Sequence, residues 1–380
     1  MIEPKLRFKK DNGNSFPDLE KRKLGESIRF INGRAYKQDE LLKSGKYLVL
    51  RVGNLFTNDS YYYSDLELDD DKYIEDGNLI YAWSATFGPR IYHGKKCIYH
   101  YHIWKLEFDE NIISKMFLNY YLLYDVEKIK SQRTGGTMVH ITKNAMEHRE
   151  LYFPSLPEQQ KIADFLSTVD TVISNYNDTI KAWKDRKKGV MQKLFSQEVR
   201  FKADDGSEFP EWEEKNVEDV CSVSTGKGNT QDKVDTGAYR FYVRSPIIEH
   251  SDSYLFDEEA VITVGDGVGT GKVFHYVKGK YNLHQRCYRM YDFRGVTGKY
   301  FYYFFSTNFY RRVKSMSAKT SVDSVRMEMI TKMKILVPCL AEQQKIADCL
   351  SSLDEVIKKQ KTTLAAWEEL KKGLLQQMFV

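Results

Sequence analysis

The sequence has few cysteines, no long apolar run and no large excess of one charge. No stretch approaches the roughly 18 consecutive apolar residues of a membrane-spanning helix, so such a helix is excluded. The charged start Met1–Arg7 lacks the apolar core of a secretion signal, and we therefore expect a cytoplasmic protein. The five cysteines are odd in number and form no CxxC pair, which argues against structural zinc and a disulfide framework.

The charge balance is only mildly basic. Lys and Arg (58) exceed Asp and Glu (53) to give a net charge of +5, which permits a nucleic-acid partner without requiring one. At about 150 residues per domain, the 380 residues predict two or three domains.

Motifs for catalysis are missing as well. Segment 265–272 is rich in glycine, but Asp266 and Val273 break the phosphate-loop pattern, and Thr270 breaks the dinucleotide-binding fingerprint. We interpret this segment as a turn. The sequence offers no metal-ligand cluster and no convincing nucleophile–base pair, so we expect no catalytic residue, metal or cofactor on this chain.

What the sequence does contain is an internal repeat. Residues 156–196 match 340–380 without a gap, at an offset of 184 and with 21 identities in 41 positions. Residues 7–20 match 200–213 at an offset of 193, with eight identities in 14 positions. The chain is therefore predicted to be two copies of one unit. Further expected pairs between the copies are Arg51 with Arg244, Arg90 more loosely with Lys272, and His100 with His284.

Each copy ends in a predicted long helix with an apolar seam. The seam residues recur at alternating steps of four and three, a period of 3.5 that is typical of left-handed coiled coils. Lys187 and Lys371 interrupt the seam at matching positions. The seam is formed by Ile162, Leu166, Val169, Ile173, Ile180 and Trp183 in the first copy, and by Ile346, Leu350, Leu353, Ile357, Leu364 and Trp367 in the second.

The ends of these helices are also marked in the sequence. Ser155 and Glu158 form a capping-box pattern that predicts a helix start, and Cys339 makes the second start weaker. We expect the two helices to pair antiparallel, because two copies related by a two-fold axis require it. Forty residues at 1.5 Å each give a rod of roughly 60 Å, which would fix the distance between two domains.

These elements predict an α+β fold with pseudo-two-fold symmetry. Two repeated mixed α/β domains are separated by a pair of long antiparallel coiled-coil helices. In chain order we expect residues 1–19 to form an N-terminal segment that packs near the end of the second helix. Residues 20–154 are the predicted first mixed domain, and 155–199 the first long helix. Residues 200–338 are the predicted second mixed domain, and 339–380 the second long helix.

Two unlike domains at a set separation suit a linear polymer such as duplex DNA. The two mixed domains have diverged strongly while the helices stayed alike, which indicates that the domains read different things. Arginine can fork onto guanine and glutamine onto adenine, whereas lysine and threonine mostly hold phosphates. The candidates for DNA contact, each with solvated surface as its alternative, are Arg51, Arg90, Arg133, Thr137, Arg244, Lys272, Gln285, Arg286, Arg311, Arg312, Lys319 and Thr320. For His100 and His284 we favour a hydrogen-bonded structural role over a DNA contact.

The layout resembles the specificity (S) subunit of type I restriction-modification enzymes. The resemblance rests on Leu156–Ala163 and its repeat Leu340–Ala347, each opening a long helix, and on Phe16-Pro17 and Phe209-Pro210 at the domain starts. It covers essentially the whole chain. The departures are small: Ala341 stands where Pro is usual, and Cys339 replaces the serine cap.

The resemblance implies two target-recognition domains, each reading one half of a bipartite asymmetric site in double-stranded DNA. It also implies modification (methyltransferase) subunits, two in number, that carry S-adenosylmethionine and methylate adenine. Restriction subunits would bring ATP, Mg and DNA cleavage. The alternatives are a non-catalytic coiled-coil scaffold without a DNA role and a DNA-binding subunit of a related modification-only system. A self-contained enzyme would need a cofactor loop that this sequence lacks.

The predicted helical rod gives a first test. Inserting four residues into each long helix adds about 6 Å, and we expect the spacer between the two half-sites to grow by roughly one to two base pairs. Mapping methylated adenines in cells that express the chain with its methyltransferase measures the spacer. An unchanged spacer would contradict the role of the helices as a ruler.

Overall fold

The computed structural model describes residues 3–56, 58–84, 87–131, 141–267, 269–316 and 324–379. The chain divides into two compact units, which are described one at a time. Unit 1 is Met1–Asn177 together with Thr362–Val380, and unit 2 is Asp178–Lys361. Each unit therefore contains one mixed domain, the first part of the long helix that follows it and the last part of the other long helix.

Unit 1 is built on three small sheets. A two-stranded sheet pairs β1 with β10, and two four-stranded sheets have the orders β2-β9-β6-β7 and β4-β3-β8-β5, with β3 and β8 parallel. The strands are β1 (Glu20–Lys23), β2 (Arg29–Asn32), β3 (Tyr47–Leu50), β4 (Tyr62–Ser64), β5 (Tyr73–Ile74), β6 (Leu79–Ala82), β7 (Gly88–Ile91), β8 (Cys97–Tyr99), β9 (Ile103–Glu107) and β10 (Glu150–Phe153). The helices are α1 (Leu24–Ser27), α2 (Val52–Phe56), α3 (Lys115–Ser131), α4 (Lys143–Glu147) and the start of α5 (Leu156–Phe195), with 3-10 turns at Gln38–Glu40 and Asp70–Lys72.

Unit 2 repeats this plan with longer strands. A two-stranded sheet pairs β11 with β18, and one six-stranded sheet has the order β12-β17-β15-β16-β13-β14. The strands are β11 (Glu213–Asn216), β12 (Ser222–Thr225), β13 (Tyr239–Tyr242), β14 (Ile248–Ser251), β15 (Phe256–Val264), β16 (Phe274–Leu283), β17 (Cys287–Tyr291) and β18 (Lys334–Val337). The helices are α6 (Val217–Val220), α7 (Gly298–Met316), α8 (Met327–Thr331) and the start of α9 (Leu340–Met378), with a 3-10 turn at Thr230–Asp232. The predicted α+β class with two repeated mixed domains is confirmed.

The two units differ mainly where two strands of unit 2 are interrupted in unit 1. According to the sheet register, β5 and β6 of unit 1 are equivalent to the first and second parts of β15 in unit 2. In the same way β7 and β8 are equivalent to successive parts of β16. In unit 1 the chain turns between β5 and β6 at Gly77, whose φ of 81° favours glycine. One continuous six-stranded sheet in unit 2 thus corresponds to two sheets in unit 1.

The long helices run antiparallel within each unit. In unit 1, Ile162 and Leu166 near the start of α5 share an aromatic-rich core with Leu375 and Met378 near the end of α9. In unit 2, Leu194 near the end of α5 shares a core with the first turns of α9. The predicted antiparallel pair of long helices is thereby confirmed.

The seam residues divide into a buried and a half-buried group. Fully buried seam residues are Ile162, Leu166, Val169, Ile180, Ile346, Leu350 and Ile357. Half-buried ones are Ile173, Trp183, Leu353, Leu364 and Trp367.

The lysines that interrupt the seam form matching polar clusters. In unit 2, Lys187 Nζ lies 2.5 Å from Asp354 Oδ1, and Tyr303 OH donates to Asp354 Oδ2 at 2.8 Å. In unit 1, Lys371, Asp170 and Tyr120 repeat this arrangement at 2.5 and 2.7 Å. A charged pair between apolar layers is satisfied in one register of the two helices, so these clusters specify how the helices align.

A buried glutamate begins each long helix. Glu158 accepts from Arg7 Nε at 2.9 Å, and Glu342 accepts from Arg200 Nη2 at 2.9 Å and from Trp212 Nε1 at 2.9 Å. The glutamate side chains are 1% and 0% exposed. Each arginine thereby ties the segment before a mixed domain to the start of that unit's long helix.

This pairing corrects the predicted capping box. Glu158 turns to Arg7 rather than back to the helix start, and Ser155 Oγ is buried without a hydrogen-bond partner among the described residues. The helix start itself is where the pattern predicts it, at Leu156. The S-x-x-E pattern arises because Glu158 binds an arginine distant in sequence, which is a tertiary contact rather than a local one.

The next glutamine of each repeat fixes the loop before the aromatic helix. Gln159 accepts from Ser114 N at 2.8 Å and donates to Pro154 O at 2.9 Å. Gln343 does the same with Thr297 N at 2.8 Å and Pro338 O at 2.8 Å. The repeated Glu-Gln pair is thus retained for internal hydrogen bonds.

The ends of the long helices meet equivalent backbone in both units. Val199 N donates to Lys193 O at 3.3 Å just after α5, where the chain is continuous. Leu6 N donates to Gln377 O at 3.0 Å near the end of α9. Leu6 lies 193 residues before Val199, and Lys193 lies 184 residues before Gln377, so the two hydrogen bonds are equivalent. In unit 2 the bond joins neighbouring residues of the chain, whereas in unit 1 it joins residues from two separate segments.

The buried arginine–glutamate pairs give a stability test. Arg7→Ala and Arg200→Ala each leave a buried carboxylate unpaired, and we expect each to destabilise the protein by about 3–5 kcal/mol. Arg29→Ala is the matched control, because Arg29 pairs with Glu107 at the surface and such pairs contribute about 0–1 kcal/mol. Chemical denaturation of the three variants measures the free energy of unfolding. A loss of stability in Arg29→Ala as large as that in the other two variants would contradict the role of the buried pairs.

Candidate nucleic-acid interface

The sheet registers align the two units residue by residue. Leu50 pairs with Tyr99, and Tyr242 pairs with Leu283, which lies 184 residues after Tyr99. Leu50 is therefore equivalent to Tyr242, and Arg51 is equivalent to Val243 rather than Arg244. The predicted pair of Arg51 with Arg244 is wrong by one residue, because the offset changes from 193 to 192 before β3.

The looser pair of Arg90 with Lys272 is also wrong. Arg90 lies on β7 opposite Ile80, and the equivalent position in unit 2 is His275, opposite Ile262. Lys272 lies instead in the turn before β16, where its N–H donates to Gly269 O at 3.0 Å.

The two histidines occupy one backbone position in both units. His100 N donates to Leu50 O at 2.9 Å, and His284 N donates to Tyr242 O at 3.0 Å. The His284 ring also serves the backbone, since its Nδ1 accepts from Arg286 N at 3.1 Å. Burial, followed by the positive charge of Arg244, lowers the pKa of His284 and favours this neutral acceptor.

The residues that follow each histidine meet the end of a central strand. Gly265 N donates to Arg286 O at 2.9 Å, and Trp83 N donates to His102 O at 3.1 Å. We call this place the strand-end corner, which comprises Trp83, Ser84, Tyr101 and His102 in unit 1, and Gly265, Asp266, Gln285 and Arg286 in unit 2. The backbone frame of the corner is thus common to both units.

In unit 2 the strand-end corner is charged. The Asp266 carboxylate lies 3.2 Å from Arg244 Nη1 and 2.9 Å from Arg286 Nη1. The arginine side chains are 47% and 61% exposed, whereas the Asp266 side chain is 20% exposed. Gln285 and Thr225 line the same depression. This corner offers guanidinium and amide donors to solvent.

In unit 1 the same corner is aromatic. The Trp83 ring lies 4.8 Å from the His102 ring and 6.0 Å from the Tyr101 ring, measured between centroids. Trp83 Nε1 donates to Tyr101 O at 2.9 Å, which fixes the indole on the backbone. The two units therefore present different chemistry from equivalent positions.

The other predicted DNA-contact residues are scattered. Arg51 lies over the Tyr62 ring at 5.2 Å, Arg90 over Phe56 at 5.0 Å and Lys272 over Tyr310 at 5.1 Å. Arg311 is exposed, and Arg312 Nε donates to Met329 O at 2.9 Å, which joins α7 to α8. Arg133, Thr137, Lys319 and Thr320 lie outside the described residues.

A basic depression in unit 1 adds residues that the sequence reasoning missed. Arg90 lines it together with Lys46, Lys95, Lys96 and the exposed Tyr61. These side chains come from three loops and strands, so no local pattern in the sequence points to them. The sequence reasoning also missed Asp266 and Trp83. The available indication of a site there was that different residues follow His100 and His284.

Comparison with known proteins identifies the family. The family model of the type I restriction modification DNA specificity domain matches the chain twice, over residues 17–182 and 210–366. The specificity subunit of the type I restriction enzyme MjaVIII from Methanocaldococcus jannaschii is 25% identical over 401 residues, spanning 97% of this chain and 94% of that relative. The EcoDI specificity subunit from Escherichia coli is 23% identical over 160 residues, or 42% of this chain and 34% of that protein.

Solved structures agree in fold. The S subunit of a type I restriction-modification system from M. genitalium has a TM-score of 0.61 and 16% identity, covering 100% of this chain and 99% of that one. A chain from a study of assembly of the type I R-M system has a TM-score of 0.54 and 12% identity, over 95% and 97% of the two chains. The fold and the repeated domain define a protein with two DNA specificity domains. The chain belongs to the type I restriction-modification DNA specificity family, and the resemblance noted in the sequence is confirmed.

Within the described ranges, no helix is both long enough and apolar enough to cross a membrane. The same residues contain no group of three or more His, Cys, Asp or Glu placed to hold a metal ion.

The unit 1 histidine gives a pH test. Burial, then His102 and Arg51, lowers the pKa of His100 from 6.5 to about 4. Between these values the unfolded chain binds a proton that the folded chain does not, so stability should fall as pH drops from about 6.5 to about 4. Thermal unfolding of His100→Gln should show a shallower loss across this window than the unsubstituted protein, and equal slopes would contradict the assignment.

Proposed function

We propose that this chain is the sequence-specific DNA-binding subunit of a type I restriction-modification complex, which reads a bipartite asymmetric site with one half-site per unit. The observation that carries the proposal is the strand-end corner. Its backbone is common to both units, but it holds an Asp–Arg cluster in unit 2 and an aromatic cluster in unit 1. Two domains that recognise different DNA sequences require a common backbone that carries different side chains.

The backbone frame contains two equivalent glycines at which no larger residue fits. A Cβ at Gly33 would overlap the backbone oxygen of Tyr99, and one at Gly226 would overlap that of Leu283. Both glycines also donate into the neighbouring strand, at 3.2 and 3.1 Å. Because the backbone is fixed at these equivalent places, the two strand-end corners differ in the side chains that they carry.

The charges at the two candidate surfaces favour a polyanion. Arg244, Gln285, Arg286 and Lys272 are the proposed contacts in unit 2, whereas Arg51, Arg90 and the basic depression are proposed for unit 1. Arginine and glutamine can form paired hydrogen bonds with base edges in the major groove, and lysines bind phosphates. The whole chain needs no large net charge, since partner subunits share the DNA.

The chemistry is assigned to partners. We propose that two modification subunits supply S-adenosylmethionine and methylate adenine, and that restriction subunits supply ATP- and Mg-dependent translocation and cleavage. The long helices would provide their docking surface, and this chain would carry no catalytic residue. The family assignment and the DNA specificity domains support this division.

Domain exchange tests the proposal. Replacing residues 20–154 with the corresponding domain of another family member should change one half of the methylated motif and leave the other half and the spacer intact. The motif is read by mapping methylated adenines in cells that express the chain with its methyltransferase subunits. The matched control replaces the same region with a domain from a relative of identical specificity, which should leave the motif unchanged.

Two results would contradict the proposal. A scaffold without a DNA role predicts that the methylated motif does not depend on residues 20–154. A self-contained enzyme predicts that the purified chain alone binds S-adenosylmethionine or cuts DNA.

A further inference from the structure

One carboxylate in the strand-end corner of unit 2 holds two exposed arginines. Asp266 uses Oδ1 for Arg244 and Oδ2 for Arg286, so both carboxylate oxygens are engaged. The cluster carries a net charge of +1 from two positive groups and one negative group. It differs from a simple basic patch, in which cations stand without an acidic neighbour.

The backbone around this cluster is fixed on three sides. Gly265 N donates to Arg286 O at 2.9 Å, and Val325 N donates to Gly265 O at 2.7 Å. A Cβ at Gly265 would lie 2.7 Å from Arg286 O, so this close approach requires glycine. Arg286 N donates to His284 Nδ1 at 3.1 Å. The Asp266 and Arg286 side chains therefore start from rigid positions.

A carboxylate beside an arginine changes what the arginine can recognise. It repels a phosphate, which carries a full negative charge, more strongly than the edge of a base pair, which is neutral overall. It also holds the guanidinium in one orientation, so less side-chain entropy is lost on binding. A fixed guanidinium suits the paired O6 and N7 acceptors that guanine presents in the major groove.

Resting on the proposed function, we propose that Asp266 is a positioning residue that presents Arg286 to the major-groove edge of a guanine in the half-site read by unit 2. Arg244 is the second partner that keeps the carboxylate in place. Unit 1 has Ser84, His102 and Val52 at the equivalent positions, so this reading belongs to unit 2 alone.

The test uses the complex of the chain with its methyltransferase subunits, after its methylated motif has been mapped. Binding is measured to the target duplex and to duplexes in which each base pair of the motif is changed in turn. Asp266→Asn should reduce discrimination roughly tenfold at one G·C pair of the unit 2 half-site. Binding to non-specific DNA should become stronger and more sensitive to salt, because one negative charge is lost.

The matched control is Asp292→Asn. Asp292 pairs with Arg294 at 2.6 Å just after the end of β17 that lies away from the strand-end corner. The substitution therefore removes the same charge and also takes the carboxylate partner from an exposed arginine. The Asp292 φ of 54° suits asparagine. Discrimination at every base pair should stay as in the unsubstituted complex.

Arginine variants decide whether Asp266 acts through Arg286. Arg286→Lys keeps the charge but loses the fork, and should reduce discrimination at the same G·C pair. In an Arg286→Ala background, Asp266→Asn should have no further effect at that pair. Discrimination in the half-site read by unit 1 should be unchanged in all variants, which shows that the complex is folded.

Three outcomes would overturn the inference. These are unchanged discrimination in Asp266→Asn, a loss of affinity that is uniform across sequences, and a full additional effect in the Arg286→Ala background. Failure of the proposed function looks different, because the unsubstituted complex would then show no bipartite motif at all.

Discussion

The structure depends on a buried carboxylate at the start of each long helix. Glu158 and Glu342 are removed from solvent and are stabilised by arginines that precede each mixed domain in sequence. An unpaired charge in that position would be costly, so the helix start, the arginine segment and the domain between them must assemble together.

The second constraint is the polar cluster within the helix pair. Apolar seams alone tolerate sliding by a heptad, but Lys187 reaches Asp354 and Lys371 reaches Asp170 in one alignment only. The proposed recognition of two half-sites requires helices that cannot slip. The same residues that weaken the apolar seam therefore make its register unique.

Sequence alone was sufficient for the parts of the structure that repeat. The 3.5-residue period predicted the helix pair, and the 184-residue offset predicted the doubled unit. Sequence alone was insufficient at Arg51, where a one-residue change of offset shifts the alignment of the two units. Matching arginine with arginine pairs Arg51 with Arg244, whereas strand pairing makes Arg51 equivalent to Val243. The role of Asp266 could not be predicted either, since strand pairing brings it to Arg286, 20 residues away, and the sequence there suggested only a turn.

The order in which the chain enters the two units has a consequence for how the protein is made. Unit 2 is continuous in sequence, so a ribosome has supplied all of it once Lys361 is added. Unit 1 is assembled from two separate segments, and its core includes Leu375, Met378 and Phe379 from the last of them. The unit whose mixed domain is synthesised first is thus completed after unit 2, because its core needs residues that follow Lys361.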